Sequence, residues 1–223
     1  FINMRMDQNW KSQRTTTKHA RNGETFSSPL IRYTPKRIVL KGKQSQVIRL
    51  MLRRGKNFKD GEYRSHILIQ QEAPADFGKT IDKKKKNDKS LSVTLKALFG
   101  VSMPVIIKYG KLEHEVKITN IKISKNKKGQ KMVGFDLNRS GNESVFGNLE
   151  VYFDPKGLAR SRKIGELTSV AVYSPYKKRN MKINLNIPKK MQGKTGILTV
   201  KYLVKDKSHK KEQYSLSSTS LTL

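Results

Sequence analysis

Cysteine is absent from the 223-residue chain. That excludes disulfides, thiolate nucleophiles and sulfur-ligated metals. Carboxylates are scarce: 17 Asp and Glu stand against 48 Lys and Arg, a formal net charge of +31. They are far apart in sequence, so a carboxylate pair for acid–base work has no support. The four histidines, His19, His66, His114 and His209, show no paired-ligand spacing, which argues against zinc. No apolar run approaches the ~20 residues of a membrane span. The segment Gln192–Gly196, "QGKTG", falls short of a phosphate-binding loop. Pro188 stands where that motif needs its first glycine, and the segment joins strands. These absences point away from an enzyme, a metal site and a cofactor.

What is present is β-strand patterning. From Leu91 to Ile107 every odd position is apolar: Leu91, Val93, Leu95, Ala97, Phe99, Val101, Met103, Val105 and Ile107. A period of two marks a strand with one apolar face. Strands usually run about 5–6 residues, so this pattern is roughly three times too long for one. Gly100 permits a bend, and Pro104 removes a ladder donor.

The rest of the chain reads as β as well, with no amphipathic helix. Strands are expected at Phe1–Met6, Arg37–Gly42, Gln46–Leu52 and Gly61–Gln70. After the long stretch, the segment His114–Ile123 changes parity near Asn120, which predicts a bulge. Further strands are centred on Val133–Leu137, Leu149–Phe153, Val170–Val172, Met181–Ile187 and Leu198–Val204, with Tyr214–Leu223 as an edge strand. Residues Gln8–Ser28 read as a long surface loop, and Phe77–Ser90, with its run Lys83–Lys86, as a charged mobile one. From about Glu113 onward the strand count suffices for an immunoglobulin-like sandwich. The part before it is short by about two strands. Either an N-terminal portion preceding Phe1 is missing, or the first domain is open by design.

The positive charge raises two readings of a binding protein. One is nucleic acid, because phosphate neutralisation dominates such affinities. The other is a charged surface facing another polyanion. Phe135, Phe153 and Tyr202 sit at core-phase positions of strands, where they could not stack on bases.

Five segments together resemble periplasmic pilus-assembly chaperones of the PapD-like superfamily, in a divergent branch. They are "YTPKRIVLKGKQSQVIRLML", "DGEYRSHILIQQEAP", "LFGVSMPVIIKYG", "LNRSGNESVFGNLEVYF" and "VAVYSPYKKRN". The resemblance implies two immunoglobulin-like β-sandwich domains in an L-shaped arrangement, over residues 1–107 and 108–223, the first N-terminally incomplete. It implies donor-strand complementation, in which Leu91, Val93, Leu95, Ala97, Phe99 and Val101 fill the groove of a pilin-like subunit lacking its final strand. A hinge is expected near Pro104–Gly110. The implied partners are such subunits and an outer-membrane usher, in the periplasm, with no nucleic acid and no membrane span. The family's carboxylate-anchoring arginine and lysine have no counterpart here, so those roles are not carried over. Binding of nucleic acid or another polyanion is the alternative reading.

Overall fold

The computed structural model describes residues 1–7, 10–53, 58–73, 97–157, 161–204 and 213–222. The protein is all-β, built of several sheets. Among the described residues there is no α-helix, only three short 3-10 turns. The chain divides into two compact units. One comprises Phe1–Ala20, Thr25–Gly55 and Tyr63–Ile107. The other comprises Arg21–Glu24, Lys56–Glu62 and Lys108–Leu223.

Among the described residues the first unit holds three two-stranded sheets. Strand β1 (Asn3–Met6) pairs antiparallel with β2 (Ser12–Thr15), and β3 (Ile31–Thr34) with β4 (Arg49–Leu52). Strands β5 (Gly61–Gln70) and β6 (Gly100–Tyr109) form the third sheet, and both run on into the second unit. Three sequence expectations change here. The stretch Gln8–Ser28 is not all loop, because β2 lies within it. Its polar side chains carried no apolar period, and pairing with β1 supplies the order instead. Arg37–Gly42 forms no strand, and Val39 and Leu40 are exposed. Propensity alone does not hold a strand that finds no ladder and buries no face. Of the long apolar pattern, Leu91–Lys96 lie outside the described residues, residues 97–99 have no assigned structure, and regular strand is described from Gly100.

Sheet pairing in the second unit is more extensive. Its strands are β7 (His114–Lys125), β8 (Lys131–Gly141), β9 (Val145–Pro155), β10 (Arg162–Val172), β11 (Lys178–Asn184), β12 (Thr195–Val204) and β13 (Gln213–Thr222). They form two sheets, ordered β11-β8-β7 and β10-β9-β12-β13. Alternate residues point inward and build one core: Val133, Phe135 and Leu137 from β8, Leu149, Val151 and Phe153 from β9, and Leu198, Val200 and Tyr202 from β12 are all buried. The two sheets meet where the Ile183 and Leu185 side chains approach Gly165 and the Asn186 amide donates to the Ile164 carbonyl (2.6 Å). The parity change near Asn120 is a register shift between Thr119 and Lys122, with Asn120 at φ 57°. The Asn120 amide donates to Asp136 (2.7 Å), and Lys178 pairs with it (3.2 Å). With a further donor in Asn180, these bonds outweigh burial and hold the Asp136 carboxyl below its ordinary range.

Two glycines set how closely β9 and β12 approach. Gly147 stands opposite Val204 and Gly196 opposite Pro155. A Cβ at Gly147 would collide with the Leu203 carbonyl, and one at Gly196 with the Asp154 carbonyl. Backbone atoms cannot swing aside as a side chain can. Gly147→Ala should therefore destabilise the protein by roughly 1–3 kcal/mol, the usual cost of overpacking. Urea unfolding monitored by tyrosine fluorescence measures it. An unchanged midpoint would count against the close approach described here.

Candidate functional site

The first unit buries little. Phe26 and Ile67 are its only buried apolar side chains among the described residues, and every other one belongs to the second unit. Exposure is the mirror image. Among the large apolar side chains described in the second unit, only Phe146, Leu167 and Ile197 are exposed. In the first, Met51, Ile69, Phe99, Val101 and Met103 are among those open to solvent. Phe99 is 76% exposed and Val101 62%, values unusual for residues on a strand or next to one.

Strand β6 explains why. In its two-stranded sheet it has β5 on one side and, among the described residues, no strand on the other. The Gln71 amide donates to the Phe99 carbonyl (2.8 Å), so the β5 side of the pairing reaches back to Phe99. Gly100 packs against Gln70, where a Cβ would come within 3.2 Å of the Gln70 Cβ. Pro104 lies within the strand, which suits an edge, where a missing N–H breaks no ladder. Beyond Pro104 burial begins to alternate: Val105 and Ile107 are half-buried while Ile106 stays exposed. The Ser27 hydroxyl donates to the Val105 carbonyl (3.0 Å) and fastens this part of the strand.

Of the six residues expected to be donated, Leu91, Val93 and Leu95 lie outside the described residues, as does the run Lys83–Lys86. Ala97 and Phe99 are exposed just before β6, and Val101 is exposed within it. Sequence reasoning passed over Met103 as part of a client face, yet it is 45% exposed on the same odd-numbered side. The strand expected at Gln46–Leu52, with Leu50 and Leu52 on one face, is β4, yet its Leu50, Met51 and Leu52 are all exposed. The signal available for β4 was its three successive apolar residues, too many for one face of a half-buried strand. Among the described residues no group of three or more His, Asp or Glu could hold a metal ion. No helix among them is long and apolar enough to cross a membrane.

Hydrogen bonds hold the segments near this strand in each unit. The Ser65 hydroxyl donates to Asn3 Oδ1 (2.7 Å) and accepts from the Ser28 amide (2.8 Å), and all three residues belong to the first unit. His66 follows on β5, and its backbone exchanges two 2.8 Å bonds with Ile2. Its Nδ1 is buried with no hydrogen-bond partner. In the second unit the segment leaving β6 is tied down by charge. Glu143 accepts from Lys108 and contacts His114 Nδ1 (2.9 Å). Burial pushes the Glu143 carboxyl up, but these two partners outweigh it and leave it below its ordinary range. The Asp60 carboxylate accepts the Lys111 amide (3.0 Å), and Asn142 bonds both Lys111 and Glu113.

No protein-family model matches the chain, and no curated protein matches it. Among solved structures it is similar to DesR, a β-glucosidase from Streptomyces venezuelae in complex with D-glucose. Identity is 12%, the match covers 52% of this chain and 15% of that one, and the TM-score is 0.31. A likeness that loose carries no argument about activity.

Burial, followed by the nearby Arg64 charge, depresses the His66 pKa below its ordinary 6.5. The folded protein therefore takes up this proton less readily than the unfolded chain. The contribution of a neutral His66 is present above pH 6.5 and is lost as pH falls below it. Carboxylates lower in range, Glu143 and Asp136 among them, lose their contributions at more acid pH. His66→Gln should flatten the stability slope between about pH 7.5 and about pH 5.5. Urea midpoints across that window test it, and an unchanged slope would remove His66 as its source.

Proposed function

We propose that this protein is a periplasmic chaperone that binds pilin-like subunits by lending them a strand. The reading is of a binding protein without a catalytic step. The observation that carries it is the apolar edge at Phe99, Val101 and Met103 on a strand that, among the described residues, has a partner on one side only. An edge strand offers main-chain donors and acceptors for pairing, and its alternate side chains fill pockets. A client lacking its last strand exposes an apolar groove and an open edge, both aggregation hazards. Burying three such side chains contributes about 1.5–3 kcal/mol each before ordering and association costs.

The second unit supports an immunoglobulin-like assignment within this proposal. Seven antiparallel strands lie in two sheets, as in that fold, with the first, second and fifth of them in one sheet. The fourth strand, β10, pairs with the third rather than with the fifth, which departs from the constant-type order. Two immunoglobulin-like domains are the proposed architecture, with an outer-membrane usher as a later partner. Pro104 marks where the client's share of the strand ends, because no donor is available there and burial begins beyond it.

Co-expression with a pilin domain lacking its final strand tests the idea. Val101→Asp and Phe99→Asp should each abolish co-purification of that domain. Because both side chains are exposed, unfolding of the free chaperone should shift by no more than about 0.5 kcal/mol. Normal capture by both variants would sink the proposal.

A further inference from the structure

We infer that the β7–β8 hairpin of the second unit is a docking surface for an anionic lipid bilayer. The inference uses the second unit alone and stands apart from the chaperone reading. The observation behind it is a local absence of negative charge. No Asp or Glu occurs from Ile121 to Phe135, nor from Lys177 to Val204. The end of the hairpin carries Lys125, Lys127, Lys128 and Lys131, and a rung three residues further into the sheet adds Lys122 and Lys182.

Register sets these cations on both faces of the hairpin: Lys125 and Lys131 share one face, and Lys122 and Lys182, level with Gly134, lie on the other. Lys125 pairs directly with Lys131 across the last rung. Like charges opposite each other destabilise a hairpin, so local folding does not account for them. Lys122 and Lys182 flank Gly134 from the two neighbouring strands, about 10 Å apart by strand spacing. None of the six makes an ion pair among the described residues, and all but the half-buried Lys131 are exposed.

The turn itself is rigidly built. Asn126 Oδ1 accepts the amides of Lys128 (2.9 Å) and Gln130 (3.0 Å), and Asn126 and Gln130 close the turn through the backbone (2.9 Å). The Asn126 amide donates to Asn184 of β11 (3.3 Å). Lys127 and Lys128 are thereby held at the tip instead of trailing on a loose loop.

The chemistry of the tip selects the partner. It has no aromatic ring to stack on a base, which argues against single-stranded nucleic acid. It has no arginine for bidentate phosphate recognition, the preferred device on nucleic acid. Lysine ammonium groups are compact and strongly hydrated, and act through their field over about a Debye length. No large exposed apolar side chain stands on the hairpin to insert between lipids. The match is to a plane of anionic headgroups, held reversibly and without insertion.

The test is co-sedimentation of the full chain with phosphatidylcholine vesicles, with and without phosphatidylglycerol. Binding is expected only with phosphatidylglycerol and should weaken as salt rises. Lys127→Gln with Lys128→Gln should weaken it about 25-fold, about fivefold per charge. Lys41→Gln with Lys43→Gln removes the same net charge from exposed positions of the first unit and should leave binding nearly unchanged. Equal loss in the two double variants would overturn the assignment, because net charge alone would then explain binding. Tighter binding to duplex DNA than to the anionic vesicles, lost in the tip variant, would make nucleic acid the partner and overturn it too. Acetylation of Lys127 and Lys128 in the unaltered chain, followed by mass spectrometry, reads the same contact without a substitution. Vesicles should slow it, and no slowing would refute the contact.

Discussion

The ladder between β9 and β12 carries the second unit. Val200 faces Val151, Leu198 faces Phe153 and Tyr202 faces Leu149, all buried. β10 hangs on the far side of β9 and β13 on the far side of β12. The Tyr202 hydroxyl donates to the Val170 carbonyl (2.8 Å), so the largest buried ring also fastens β10. Burial raises the Tyr202 phenol well above its ordinary range, which keeps the donor proton in place. A slip of one residue in this ladder would turn its entire apolar set outward, so register and core stand or fall together.

Among the described residues the first unit has nothing comparable. Its sheets have two described strands each, and two-stranded ribbons are marginal in water. Hydrogen bonds among Asn3, Ser28 and Ser65, and from Ser27 to Val105, supply much of its order. Each contributes only about 1 kcal/mol net. An apolar edge held on such a framework suits a surface that must accept a partner, since binding elements come from the less stable parts of a fold.

The charge imbalance is sharper locally than the total of +31 implies. Several of the few carboxylates are consumed inside the second unit. Glu62 accepts from Ser144, Glu143 from Lys108, and Asp136 from Asn120 and Lys178. Arg139 is the buried cation described in the second unit, satisfied by the carbonyls of Tyr176, Gly141 and Glu143. Carboxylates buried in this way screen little at the surface. At the end of the β7–β8 hairpin Lys125, Lys127 and Lys128 therefore face solvent with no ion pair among the described residues.

Much of the second unit was legible from periodicity. Val133–Leu137, Leu149–Phe153 and Leu198–Val204 read as strands because alternation is a local property that pleating makes visible. The bulge at Asn120 was legible for the same reason, as a break in parity. The first unit was not, since β2 has no apolar period and Arg37–Gly42 has the propensity of a strand without a ladder to join. The stretch Leu91–Ile107 divides along the same line. Its odd-numbered apolar face is written in the residues themselves. Whether Phe99, Val101 and Met103 are covered depends on which strand lies beside β6, and that is a contact between segments far apart in the chain, which pairing in three dimensions alone can settle.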